Sequence, residues 1–488
     1  MEEYYFLDLS FIDVLASIVI LLVIYFHASL KKSNNIDQKP YYSRFIGGAY
    51  LKIAGGIAFS FVYLFYYKGG DTIDYFSGAV CMHNLLFYDP IDFFDILFTG
   101  ITYEKYLNYF NPTTLWPPSS LARKAENFNV IRVACLFSLV TFKSFLASTI
   151  LFAYVCYNAI WRVYELFIKL FPGLDNLFAI AFLYTPSYLF WGSGIMKDTI
   201  SIYAISIIVV AFYEVFIMKN RKFWKVFGLI AAAYLLFNIK PYLLVLLIPG
   251  LTFWGSFTTL QKVKSPIVKG LTFPVVLALS FFLLFSVYLR TGTGAYGSTE
   301  DALKKAQVIQ QDLKRTEAYG DNMFDIGDFD PSISGVLIKL PVAVTAGLFM
   351  PFIWNARSVF MLFSGFENLI LLLFTIYSLI RLRIVGLFRI TFSDPILTFC
   401  FTFSFFVAFI IGLTTANYGA LVRYKVPMLP FFTSFFIILT YASEEQIEKF
   451  KKAREKNYIP EQPEEKEKES IQYLPDSYLR AEARRRRF

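Results

Sequence analysis

Apolar residues run along this chain in long uninterrupted blocks, separated by short polar connections and by two long ones. Each block approaches the roughly 20 residues a helix needs to cross a bilayer, so the pattern predicts about eleven crossings. They lie near 11–29, 45–67, 133–160, 176–192, 199–217, 226–239, 243–257, 269–289, 359–380, 395–414 and 427–441. The third block is long enough for an interfacial segment plus a span. The sixth and seventh are short, joined only by Ile239, Lys240, Pro241 and Tyr242. The expected fold class is an all-α polytopic membrane protein.

Orientation follows from the connections, because basic residues in short loops stay on the cytoplasmic side. One set holds Lys31, Lys32, Lys39 and Arg44, then Arg162 and Lys169, then Lys219, Arg221, Lys222 and Lys225. It continues with Lys262, Lys264 and Lys269, and ends with Arg381, Arg383 and Arg389. Only Asp37, Glu165, Asp175 and Asp394 oppose these cations. With this set cytoplasmic, the N-terminus lies outside and the C-terminus inside. The outer face then receives two long loops, about 68–130 and 290–358, and three short connections at Gly192–Asp198, Ile239–Tyr242 and Asn417–Lys425. The long loops are expected to carry interfacial helices, one of them in SGVLIKLPVAVTAGLF, where Pro341 and Gly347 interrupt an apolar run. A transmembrane domain of 1–441 is followed by a charged cytoplasmic tail, 442–488, read as a short helix and then a partly disordered segment ending in Arg484 to Arg487.

Composition agrees. Of 488 residues, 56% are hydrophobic and only 17% charged, against about a quarter in soluble proteins, and the mean hydropathy is +0.52. Cys81, Cys135, Cys156 and Cys400 form no CxxC pair, which excludes a disulfide scaffold or a thiolate zinc site. His27 falls at a helix end and His83 in an aqueous loop, so a histidine metal centre or a Ser/His/Asp triad has little to draw on. The acidic start, MEEYYFLDLS, lacks the basic region of a cleavable signal peptide. No Walker loop is present, and nothing points to nucleic acid. The abundant Phe and Tyr read as lipid-facing packing, although Tyr75, Trp116, Trp191 and Trp354 near the outer loops also suit stacking on sugar rings.

The informative charges are those that break the orientation rule. Lys197, Lys240, Arg423 and Lys425 sit in short outer connections, with Asp198 the nearby acid. Singly, each is what a side chain snorkelling to headgroups looks like; as a group they predict an anion site on the outer face. Lys197 lies in WGSGIMKD, where glycines let backbone amides approach a phosphate near a helix start. Lys240 lies in NIKPY at a hairpin between short spans, and Arg423 in NYGALVRYKVPMLP, which turns at Asn417 and Gly419. The acid side is in YYKGGDTIDYFSGA, where Asp71 and Asp74 would face the same way on a helix. Such a pair suits a general base or a hard divalent cation, Mg²⁺ or Mn²⁺, and equally an N-cap. Arg132, Lys143 and Arg357 are secondary candidates, while Glu367 reads as a buried structural or lipid-site residue. Asp321, Asp325, Asp328 and Asp330 lack the glycine and terminal glutamate of an EF-hand loop.

In the aspartate of YKGGDTIDY, the turn WGSGIMKD, the lysine-proline of NIKPY and the basic motif VRYKVPMLPF, the sequence resembles integral-membrane glycosyltransferases of the GT-C superfamily. The likeness is to bacterial multi-pass proteins near the protein-mannosyltransferase-like families, and it covers roughly 45–441 as architecture. It implies a cytoplasmic (inner) membrane location and a polyprenyl-phosphate or polyprenyl-diphosphate sugar donor, with its tail between helices and its phosphate near Lys197, Lys240, Arg423 and Lys425. It also implies an outer-loop acid, Asp71, as base for an acceptor hydroxyl in cell-envelope glycan or glycoprotein assembly. The acid here follows the second predicted span, and the chain lacks a large C-terminal soluble domain. Two other classes fit the same pattern. One is an O-antigen or exopolysaccharide polymerase or ligase. The other is a non-enzymatic membrane subunit of a transport or secretion assembly, meeting protein partners through its outer loops or tail.

Overall fold

The computed structural model describes residues 10–122, 124–261, 299–314, 323–356, 359–441 and 444–458. These residues are helical almost throughout, and the only strand-like pairing among them is an isolated antiparallel bridge between Met323 and Asn417. Seven helices are long and apolar enough to cross a membrane, and four shorter ones, 10 to 17 residues long, are apolar. The chain is a multi-pass helical membrane protein. Seven of the crossings expected from sequence fall on the long helices and three on the short ones. The block 269–289 lies outside the described residues.

Helix α1, Phe11–Ser33, opens with a reciprocal cap: Ser10 Oγ accepts from the Asp13 amide at 3.2 Å, and the Asp13 carboxylate accepts from the Ser10 amide at 3.1 Å. Its outer surface stays apolar and uncovered, with Phe11, Leu22 and Phe26 exposed, as suits a helix facing lipid. Helix α2, Phe45–Phe61, continues into a wider turn at Val62–Tyr66. Then the chain reverses at Gly69 and Gly70, whose φ angles are +153° and +109°. A side chain on Gly70 would be strained in that conformation and would crowd the Tyr63 ring. The reversal starts α3, Asp71–Tyr88, which is followed by α4, Pro90–Thr99.

The third apolar block is two helices. Helix α5, Ala125–Val140, ends in a turn where Phe142 and Lys143 take positive φ, and α6, Phe145–Leu170, begins after the Ser144 cap. The fourth block, 176–192, is broken rather than continuous. It winds as Asp175–Ala179 and Ile180–Tyr184, stops at extended Thr185, and resumes as Pro186–Phe190, because a residue before proline is driven out of helical geometry. Helices α7, Lys197–Phe212, α8, Phe223–Ile239, and α9, Pro241–Gln261, follow.

Helix α10, Ile333–Phe349, forms from the apolar run expected to make an interfacial helix. It runs antiparallel along the later span α12, Pro395–Thr414, with the two backbones in contact. A Cβ on Gly412 would collide with the Ala343 carbonyl oxygen, and one on Gly347 with that of Ala408. Each helix therefore presents two small residues four apart, the pattern that lets membrane helices approach through their backbones. Between them in the sequence comes α11, Val359–Ser393, whose backbone leaves helical geometry at Arg383. Helix α13, Tyr418–Tyr424, capped by Asn417, and α14, Leu429–Tyr441, complete the first compact unit, Met1–Ser443. The second unit, Glu444–Phe488, contains the helix Glu444–Tyr458, and its remaining residues lie outside the described ones.

Overpacking the α10–α12 contact should be costly. Gly412→Leu and Gly347→Leu are each expected to lower the stability of the detergent-solubilised protein by about 1–3 kcal/mol. Gly228→Leu, where nothing lies within 4 Å of the added Cβ, should leave the thermal midpoint unchanged.

Candidate functional site

The site is assembled from four helix ends. After Pro186–Phe190 the turn Trp191–Ile195 packs its glycines against α2, and Met196 is held extended so that α7 starts at Lys197 with Asp198 in its first turn. Lys240 is the single non-helical residue between α8 and α9, placed there because Pro241 follows it and opens the next helix. Asp71 is the first residue of α3, set by the Gly69–Gly70 reversal. Arg423 occupies the last turn of the short helix α13.

These ends converge on Asp198, whose side chain is 1% exposed. Its Oδ1 accepts from Lys240 Nζ at 2.5 Å, and its Oδ2 lies 3.6 Å from Arg423 Nε, an ion-pair distance beyond hydrogen-bond range. Arg423 Nη2 in turn donates to Asp71 Oδ2 at 3.2 Å. The Lys240 ammonium also sits over the Tyr424 ring, 4.8 Å from its centre. The relay thus passes from a fully enclosed pair, Lys240–Asp198, through Arg423 to a carboxylate that is 46% exposed. Lys197 stands beside it, 3.7 Å from Glu126 Oε2 at the start of α5, too far for a hydrogen bond.

Three cations and three carboxylates therefore occupy one site, and their roles differ by burial. Lys240 has its charge committed to Asp198, which makes it a support for the site rather than a group that reaches a ligand. Lys197, Arg423, Asp71 and Glu126 keep partial access to solvent. Asp74 lies one turn along α3 from Asp71; burial and then the Asp71 charge push its carboxyl upward. Tyr75 closes one side, its hydroxyl donating to Asn127 Oδ1 at 3.3 Å.

The other sequence candidates go elsewhere. Lys425 donates to the Met350 carbonyl at 2.9 Å and to Asn368 Oδ1 at 2.5 Å, in a separate buried group beside Glu367, whose Oε2 accepts from the Ser187 amide. Two residues along a helix point to nearly opposite sides, which is why Lys425 does not accompany Arg423 as expected. Arg132 caps the Leu97 carbonyl at the end of α4, donating through Nε at 2.7 Å, and Lys143 donates to Asn84 Oδ1 at 2.6 Å. Asn417 caps α13 through its side chain, which accepts from the Ala420 amide at 3.1 Å. Arg357 lies outside the described residues. Among the described residues no three His, Cys, Asp or Glu side chains gather where a metal ion could be held. The Asp71 carboxylate faces a guanidinium instead.

Family models, curated proteins and solved structures were compared with the chain, and none matches. The reading of the site therefore rests on its own geometry. Two residues that matter there escaped the sequence reading. Glu126 carries no local pattern in the sequence that marks it out. Lys52 stands in the middle of the second apolar block, where an ionisable residue is itself a signal. It is fully enclosed, donates to the Tyr188 carbonyl at 2.8 Å and lies 4.7 Å from the centre of the Tyr188 ring. It thereby anchors the segment that leads into Lys197 and Asp198.

Breaking the enclosed pair should be expensive, because it strands a charge in an apolar surround. Lys240→Met is expected to cost about 3–5 kcal/mol, and Lys240→Met with Asp198→Asn markedly less than the sum of the single changes, read from a double-mutant cycle of thermal stability. A second expectation concerns His83, whose Nδ1 lies 3.2 Å from Ser138 Oγ. Burial, then the nearby Lys143 charge, push its imidazole from 6.5 down to about 4. Folding favours the neutral ring, so stability is intact above 6.5 and falls as pH drops toward about 4. His83→Gln should flatten that part of the pH–stability profile.

Proposed function

We propose that this protein is a membrane glycosyltransferase of the GT-C type, acting on a polyprenyl-phosphate-linked sugar at the extracytoplasmic face. The observation that carries this reading is the half-exposed Asp71 carboxylate held by Arg423, itself backed by the enclosed Asp198–Lys240 pair. Arg423 engages only Asp71 Oδ2, which leaves Oδ1 to accept a proton. In the proposed reaction an acceptor hydroxyl gives its proton to Asp71 and attacks the anomeric carbon. The bond from that carbon to the phosphate oxygen breaks, and polyprenyl phosphate leaves with its added charge facing Arg423 and Lys197.

The proposed topology has eleven crossings, with the N-terminus outside and the C-terminus cytoplasmic. Chain direction supports it. Helix α9 starts beside the cluster at Pro241 and runs away from it, while Met323 pairs with Asn417, the cap of the helix that carries Arg423. In the sequence, 269–289 is an apolar block with the length of a crossing. A polymerase or ligase that joins a lipid-diphosphate oligosaccharide uses the same groups and remains the rival enzyme. The matched charges of the cluster also suit a non-catalytic subunit, in which the site would be purely structural.

The test uses the purified chain in vesicles with a polyprenyl-phosphate sugar donor. Asp71→Asn is expected to cut transfer about 10²- to 10⁴-fold with donor binding retained, and Arg423→Gln to weaken binding of the polyprenyl phosphate as well. Transfer by Asp71→Asn at the wild-type rate would falsify the proposed base. Failure of the wild-type chain to bind any polyprenyl phosphate would favour the structural subunit.

A further inference from the structure

At the far end of α7, about 24 Å from Asp198 at 1.5 Å per residue, the helix ends enclose a cavity of about 460 Å³ that shares no residue with the site above. It is lined by four cations, Lys39, Arg162, Lys169 and Lys225, and by two carboxylates, Glu165 and Glu214. Lys39 pairs with Glu165 at 3.0 Å, while Glu214 is shared by Lys225 at 3.1 Å and Arg162 at 3.4 Å. Lys169 has no carboxylate within 4 Å among the described residues. Its ammonium lies 5.3 Å from the centre of the Tyr213 ring, and the side chain is exposed. The lining therefore carries two positive charges in excess. Its remaining wall includes Leu166, Val210 and Met218, an apolar shelf beside a cationic one.

A cation near the end of a helix is favoured by the helix dipole, and that accounts for Lys169 being tolerated there. It does not account for four cations around one cavity with a single carboxylate serving two of them. We infer that this cavity binds a phosphate-bearing anion, its charge taken by Lys169 and Arg162 and its apolar part lying on the shelf. Two sources offer that chemistry: the phosphodiester headgroup of an anionic membrane lipid, or a free phosphate compound from solution. The cavity volume lies within the range of small-molecule sites and exceeds what phosphate alone needs.

The experiment compares the full chain in nanodiscs of pure phosphatidylcholine with discs containing phosphatidylglycerol, and adds inorganic phosphate to the phosphatidylcholine discs. Thermal midpoint and the lipid retained in native mass spectrometry are the readouts. Stabilisation by phosphatidylglycerol alone assigns the site to a lipid headgroup, and stabilisation by inorganic phosphate assigns it to a free anion. In either case Lys169→Gln is expected to weaken binding about fivefold, the equivalent of about 1 kcal/mol for one charge near the surface, with recovery in Lys169→Arg. Arg383→Gln removes an exposed cation that does not line the cavity, and it should bind as wild type. No stabilisation by either anion, or equal weakening in Lys169→Gln and Arg383→Gln, overturns the inference.

Discussion

A carboxylate enclosed in an apolar helix bundle must be matched by cations or lose its charge, and Asp198 imposes that requirement on the rest of this molecule. Its two oxygens face Lys240 and Arg423, which arrive from chain segments 42 and 225 residues away. Satisfying one buried acid thus fixes where the α8–α9 hairpin and helix α13 must stop. Through Arg423 the same requirement reaches Asp71 and the start of the long loop. The electrostatic cost of burial becomes a positional constraint, and the exposed carboxylate inherits its orientation from it.

The helix breaks make this convergence possible. Lys240–Pro241 and Gly69–Gly70 each end a helix at the cluster, and the break at Thr185–Pro186 precedes the segment that leads into Asp198. Non-helical backbone at a membrane boundary is tolerated where it is covered by protein, and here Lys52 supplies part of that cover by donating to the Tyr188 carbonyl. The α10–α12 contact does related work: its small residues draw two backbones together beside the segment that leads to Asn417 and Arg423.

The two ends of α7 contrast in charge logic. Around Asp198 the charges are balanced and graded from enclosed to exposed, an arrangement suited to holding one carboxylate in a fixed direction. At the other end the ion pairs are partly exposed and individually weak, and the cations outnumber the carboxylates. The first arrangement gives geometric definition. The second gives an excess of positive potential.

Composition and block length alone determined that this is an all-helical, multi-pass membrane protein, because the water-to-lipid preference of a helix is a sum over its own residues. Local chemistry was equally legible: the proline at Lys240–Pro241 and the glycines before Asp71 mark turns wherever they occur. What the tertiary structure decided is non-local. That Lys240 is consumed by Asp198 while Lys197 keeps access, and that Glu126 joins the site while Lys425 serves Asn368, depends on which helix faces which. So does the placement of α10 along α12, since Ala343 and Gly347 acquire meaning only against Ala408 and Gly412. Pairing energies belong to two distant residues at once, and a single run of sequence carries only one of the partners.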